Sequence, residues 1–169
     1  MRTSFFAYLS LNFPTKTLII AEIGTLKGIN AIEMAKVYPN SKIYTIDSYP
    51  EGNDKYIPEM KINIESFKQI EFIYKPALEA VKDFQDYYFD YVYLDGNHSR
   101  EAVYQEIAAW YPKVKWGGML AGHDFWYEEV KLAVLDICVE NNLNLYSVNS
   151  YLKKLDSRQC ELCDWWIWK

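Results

Sequence analysis

The chain has 169 residues, half of them hydrophobic, and a net charge of −5 spread along its length. That size and apolar content suit a single domain, residues 1–169, with a sizeable core. The dispersed acidic balance gives no basic stripe for nucleic acid, and no apolar run approaches the roughly 18 residues of a membrane span.

Residues 1–16 read as a short lead-in, with one helical turn before Pro14. They lack the apolar core and small-residue cleavage site of a signal peptide. Leu18 to Ile23 is a near-continuous apolar run, as a parallel strand covered on both faces requires. Glu22 interrupts it with a carboxylate that is costly to bury alone. Gly24 and Gly28 then bracket a tight turn at the carboxyl end of the strand, where ligands bind in open α/β sheets. A helix runs from Gly28 to Pro39-Asn40, and S-K-I-Y-T-I-D forms a second strand ending at Asp47.

Ser48 to Pro58, with two prolines, Gly52 and Asn53, reads as a loop at the same sheet end. Residues 59–68 are weakly helical, Ile70 to Tyr74 is a third strand, and Ala77 to Phe84 a short helix. Tyr88 to Leu94 is a strong strand that runs into D-G-N-H, Asp95 to His98. The helix from Ser99 to Tyr111 carries Val103, Ile107 and Trp110 on one face. W-G-G, Trp116 to Gly118, turns the chain into the strand M-L-A-G, which ends at His123-Asp124. Val130, Val134 and Ile137 mark another helix, and Leu143 to Val148 a sixth strand. A polar loop and a last strand, D-W-W-I-W-K, complete the chain. Strand–helix alternation followed by two successive strands predicts an α/β, Rossmann-like, doubly wound and mostly parallel sheet. Helices would cover both faces, with an antiparallel C-terminal strand at the edge.

Asp47, beside the glycine turn, can accept both hydroxyls of a ribose, although an aspartate here also serves as an ordinary loop or helix-cap residue. A nicotinamide dinucleotide would use the same carboxylate, but its G-x-G-x-x-G turn is absent: Thr25 stands where a second glycine would help. The turn suits a ligand without pyrophosphate, and Glu22 suits one that bears a cation.

The motif E-I-G-T-L-K-G with I-Y-T-I-D resembles the class I S-adenosylmethionine-dependent methyltransferases. F-D-Y-V-Y-L-D-G-N-H-S-R-E-A-V followed by W-G-G-M-L-A-G-H-D is similar to a subgroup that includes macrolide-sugar O-methyltransferases and cephalosporin-hydroxylase-type proteins. The resemblance spans residues 18 to 169 and implies a seven-stranded sheet with an inserted antiparallel strand, supplied by D-W-W-I-W-K. It implies cofactor contacts from Glu22, Gly24, Thr25, Gly28, Asp47, Ser48, Ala77 and Asp95. The acidic or polar residue that relatives often carry after the third strand to hold the adenine amino group is replaced here by K-P-A-L, Lys75 to Leu78. The substrate-capping helices of larger relatives are mostly missing, so the pocket is open or completed by another subunit, such as a second copy of this chain.

Asp95 and Asp124 end strands that this topology makes neighbours. Converging carboxylates repel unless a cation or proton lies between them, and hard oxygen donors point to Mg²⁺ or a similar divalent ion. His123 is a candidate third ligand, although imidazole suits softer metals. The alternative is that Asp124 caps the following helix and binds no ion. His98, three residues after Asp95, is the candidate general base, with capping or packing as its alternative role.

Cys160 and Cys163 have zinc spacing but no second pair, so ordinary thiols are expected in a reducing, cytoplasmic setting. Trp165 to Trp168 reads as core rather than as a stacking platform. Tyr49, Tyr56, Trp126 and Tyr127 fall in loops on the ligand face. The expected activity is O-methylation of a small hydroxylated acceptor: a sugar, a glycosylated metabolite or a phenol. The rivals are a hydroxylase-like relative, a non-catalytic cofactor-binding module and, third, a dinucleotide enzyme.

Overall fold

Seven strands form one sheet in the order β3-β2-β1-β4-β5-β7-β6. The computed structural model describes residues 9–13, 17–50, 52–147 and 164–169. In chain order the elements are β1 (Ile19–Ile23), α1 (Ile29–Val37), β2 (Lys42–Ile46), α2 (Ile57–Ile64), β3 (Ile70–Ile73) and α3 (Ala77–Ala80). There follow β4 (Phe89–Leu94), α4 (Arg100–Trp110), β5 (Val114–Gly122), α5 (Glu128–Glu140), β6 (Leu145–Ser147) and β7 (Trp165–Trp168). The first five strands pair in parallel, and β7 inserts antiparallel between β5 and β6. This is the expected seven-stranded, mostly parallel sheet with an antiparallel C-terminal strand.

Alternation along the strands feeds two apolar layers, because successive side chains leave opposite faces of a sheet. Ala21, Ile23, Val92, Leu94 and Leu120 pack with Val103, Ile107 and Trp110 of α4 and Val130, Val134 and Ile137 of α5. On the other face, Ile20, Tyr91, Tyr93 and Met119 meet Ala31, Met34 and Ala35 of α1, with Leu9 and Phe13. Burial on both faces explains why β1, β4 and β5 read as apolar runs rather than as an alternating pattern. Trp165 and Ile167 are fully enclosed, so the tryptophan-rich segment is core, as expected.

Several boundaries differ from the sequence reading. Residues 54–56 form a 3-10 turn that leads directly into α2 at Ile57, because Pro58 fits the first helical turn instead of preventing it. Trp116-Gly117-Gly118 does not precede β5; it lies inside it. The β4–β5 register shifts there, with Gly117 at φ +75°, so the glycines form a bulge in a continuous strand. The short helix after β3 is α-helical only to Ala80 and then 3-10 through Asp83. The helical turn before Pro14 is present at residues 9–12. The rest of the lead-in, the polar loop before β7 and both Cys160 and Cys163 lie outside the described residues. Among those described, no helix is long and apolar enough to cross a membrane.

Candidate active site

The carboxyl ends of β1, β2, β4 and β5 meet at one edge, and a cleft of about 1020 Å³ opens above them. Parallel strands bring Glu22 beside Thr45 and Leu94 beside Gly122, so the residues that follow each strand converge there.

The first wall is the glycine turn. Gly24 has φ +96°, and a Cβ on it would stand 2.1 Å from the carbonyl oxygen of Asp95. Its lack of a side chain therefore serves the close approach of β1 to the end of β4, not only the approach of a ligand. A Cβ on Gly28 (φ +73°) would meet Ile64 of α2 at 2.7 Å, so this glycine faces the helix behind the turn. Glu22 is fully buried beneath the turn, where it accepts hydrogen bonds from Asn30 Nδ2 (2.7 Å) and Thr45 Oγ1 (2.5 Å). Gly24, Thr25, Asp47, Ser48, Ala77 and Asp95 line the cleft; Glu22 and Gly28 stand behind its wall.

Asp47 clamps this turn. Its Oδ2 accepts the backbone N–H groups of Thr25 and Leu26, each at 3.0 Å, and Oδ1 accepts that of Tyr49 at 2.7 Å. Oδ2 thus uses both of its lone pairs and Oδ1 one of two, so the clamp leaves one acceptor position on a residue that lines the cleft. Tyr49, expected in a loop on the ligand face, is in that loop but buried, and it does not line the cleft. Its hydroxyl donates to the Leu26 carbonyl, tying the end of β2 to the turn.

The second wall follows β4 and β5. Asp124 adopts the left-handed conformation (φ +56°), which aspartate tolerates better than most residues but which carries strain typical of functional sites. It collects three donors: His98 Nε2 lies 2.6 Å from Oδ2, while His123 Nδ1 (3.1 Å) and Trp126 Nε1 (3.0 Å) approach Oδ1. Burial opposes its ionisation, but the hydrogen bonds from His123 and His98 reverse that effect and hold the carboxyl well below its usual range. The hydrogen bond to Asp124 correspondingly raises the pKa of His98, against the opposing effect of burial.

His123 Nδ1 also stands 3.7 Å from Asp95 Oδ1, so an imidazole lies between the two carboxylates whose repulsion the sequence anticipates. Asp95, His98 and Asp124 each bring a donor atom within 4.8 Å of the others. The expected ligand set paired the two aspartates with His123; the fold brings His98 into the same cluster because Leu94 of β4 pairs with Gly122 of β5, so the residues that follow the two strands meet. Trp126 and Tyr127 are exposed beside Asp124, with the Tyr127 ring edge-on to His98.

One residue that the sequence reading missed faces this site. Glu106 occupies the inner face of α4, three residues after Val103, and is 7 % exposed. Its signal was available: a carboxylate at a core-facing position of an otherwise apolar helical stripe. Burial pushes its pKa up to about 7, partly offset by His98. The unfolded chain gives up this proton near 4.5 and the folded chain only near 7, so the unfolded state binds fewer protons between those values. Stability therefore falls as pH rises through that window. Without divalent cations, Glu106→Gln is expected to stabilise the fold at pH 8 by up to about 3 kcal/mol and to change little below pH 4.5. Thermal unfolding at the two pH values reads this out; an equal effect at both would refute it.

A family model for the methyltransferase domain matches residues 21–125, which is more than half of the chain and includes both walls of the cleft. The chain belongs to this methyltransferase family. It is thus an S-adenosylmethionine-dependent methyltransferase of class I. Solved structures share the fold at low identity. A precorrin-6y C5,15-methyltransferase from Geobacter metallireducens matches with TM-score 0.73 and 17 % identity, over 98 % of this chain and 87 % of that one. A protein assigned as a caffeoyl-CoA O-methyltransferase from Staphylococcus aureus gives 0.71 and 16 %, covering 99 % and 82 %. Cofactor-bound Rv0187 from MTB gives 0.75 and 15 %, covering 98 % and 79 %. No curated protein matches the sequence significantly. In this methyltransferase the glycine turn, Asp47 and Ala77 form one side of the cleft, and the Asp95–His98–Asp124 cluster the other.

Proposed function

We propose that the methyltransferase transfers a methyl group to the hydroxyl oxygen of a small acceptor (a sugar, a glycosylated metabolite or a phenol), with His98 as general base. The observation that carries this reading is the 2.6 Å contact between His98 Nε2 and Asp124 Oδ2, at the mouth of a cleft that runs to the glycine turn. With Nε2 donating to Asp124, Nδ1 is left as the lone-pair nitrogen that takes the acceptor's proton as its oxygen gains the methyl. A carboxylate on the far nitrogen stabilises the imidazolium that results.

Asp47 is the ribose-binding residue in this reading, and Gly24, Thr25, Ser48 and Ala77 complete the cofactor wall. S-adenosylmethionine, when bound, supplies an electrophilic methyl on a sulfonium. The Asp95–Asp124 carboxylate pair, with His123 alongside, fits a divalent cation of the Mg²⁺ or first-row transition type, and the lone pair of His98 is kept for the acceptor's proton. Such an ion would lower the pKa of an acceptor hydroxyl. The cleft would be closed over the acceptor by Trp126 and Tyr127 or by a second copy of the chain.

Labelled methyl transfer to a panel of sugars and phenols, with and without Mg²⁺, tests the reaction. Incorporation that EDTA leaves untouched removes the metal, and cofactor binding without incorporation favours a non-catalytic module. Asp47→Ala is expected to weaken cofactor binding roughly tenfold to a hundredfold, as loss of charged hydrogen bonds implies. Calorimetric titration with S-adenosylmethionine measures it, and unchanged affinity removes the ribose assignment.

A further inference from the structure

Glu106 lines the main cleft together with His98 and Asp124. A Cβ on Gly96 would stand 3.9 Å from Glu106 Oε1, so the carboxylate reaches the turn that follows β4. The residue is more than nine-tenths buried, and among the described residues no hydrogen bond or ion pair reaches it. The other carboxylates of the lining differ. Asp47 holds backbone N–H groups, Glu33 faces Lys36 at 2.7 Å, and His123 stands beside both Asp95 and Asp124. The basic side chains of the lining are engaged as well: Lys27 lies 3.0 Å from Glu59, and His98 Nε2 lies 2.6 Å from Asp124. Among the described residues, the walls of the cleft therefore leave one buried carboxylate without a partner of its own.

A group on a ligand can supply that partner. A hydroxyl would satisfy a lone pair but leave the buried charge uncompensated, whereas an ammonium does both. A small recess off the cleft joins Glu106 to His98, His123 and Asp124 and includes none of Gly24, Asp47 and Ala77 from the cofactor wall. The cation therefore belongs to the acceptor rather than to the cofactor. We infer that the acceptor is a hydroxylated amine, such as an amino sugar, whose ammonium pairs with Glu106 while its hydroxyl meets His98. The inference rests on the O-methylation reading given above and is independent of the metal. In the transfer the new O–C bond forms as the methyl–sulfonium bond breaks, the thioether leaves with the electron pair, and the hydroxyl proton passes to His98. The ammonium takes no part, and without a lone pair it does not compete with the oxygen for the methyl.

Labelled methyl transfer by the full chain to matched acceptors tests it: glucosamine against glucose, and tyramine against para-ethylphenol, each pair differing by the amine. The wild type is expected to favour the amine in kcat/KM by roughly tenfold or more, the scale for a buried charge pair. Glu106→Gln should bring the ratio close to unity while S-adenosylmethionine affinity stays within about twofold, because the lost contact is to the acceptor. Glu106→Asp, which keeps the charge on a shorter stem, should retain part of the preference and covers the case in which the glutamine variant does not fold. Equal use of amine and neutral acceptor by the wild type, or a preference that survives in Glu106→Gln, overturns the role of Glu106 and leaves the O-methylation reading standing. Lost S-adenosylmethionine affinity in Glu106→Gln gives the carboxylate to the cofactor's own ammonium and overturns the acceptor assignment. Methylation of neither member of either pair overturns the O-methylation reading, and this inference with it.

Discussion

Alanine at position 98 is expected to lower kcat by about 10²–10⁴ while leaving S-adenosylmethionine binding within a factor of two or so, the range for loss of a positioned general base. His98 can be deleted with little cost to the fold, since its side chain is half exposed and its strong contact is to Asp124. That contact makes the variant informative. Without the imidazole, Asp124 keeps His123 and Trp126 as donors and stays in place, so lost turnover reports on proton transfer rather than on a collapsed strand end. Single-turnover methyl transfer to the best acceptor in the panel is the measurement. A kcat within threefold of wild type would end the base assignment and make His98 a packing partner of Tyr127.

Gly24→Ala carries the second large effect, and it should appear before any ligand is added. The new methyl would be placed 2.1 Å from the Asp95 carbonyl oxygen, in a backbone conformation (φ +96°) that alanine adopts only under strain. The obstacle is backbone at the end of a central strand, which has no rotamer through which to retreat. Overpacking and strain together give roughly 2–6 kcal/mol of destabilisation. For a domain of this size that corresponds to a fall in Tm of about 5–20 °C. Thermal unfolding of the cofactor-free variant reads it directly. A Tm within about 2 °C of wild type, together with lost cofactor binding, would instead mean that the glycine serves only the ligand.

These two sites show what could and could not be read from the residues. The apolar run before Gly24, the strand ending in Asp47 and the D-G-N-H turn are local patterns, with period, length and turn chemistry written in adjacent residues. They fixed the sheet, its parallel sense and the face on which chemistry would gather. The terminal tryptophans were legible as a buried strand for the same reason. The bulge at Trp116-Gly117-Gly118 was not, because two glycines in succession look the same whether they end a strand or bend it; pairing with β4 decides between them.

The site's inner geometry depended on contacts between residues far apart in the chain. That Asp47 clamps the turn through the backbone N–H groups of Thr25 and Leu26 follows from the register of β1 on β2, which no local pattern states. That Gly28 faces α2 rather than the cleft depends on where that helix docks. Glu106 stood in plain view as a charge on an apolar helical face, yet its meaning appears only once α4 is laid over the end of β4 and the carboxylate falls beneath Gly96. The sequence by itself determined the doubly wound α/β sheet and the strand ends from which the site is built, because those are properties of short apolar periods and turns, while its motifs carried the resemblance to the class I methyltransferases. Only the tertiary structure decided which donors share one pocket, His98 with Asp95 and Asp124, because strand register and helix docking set those distances.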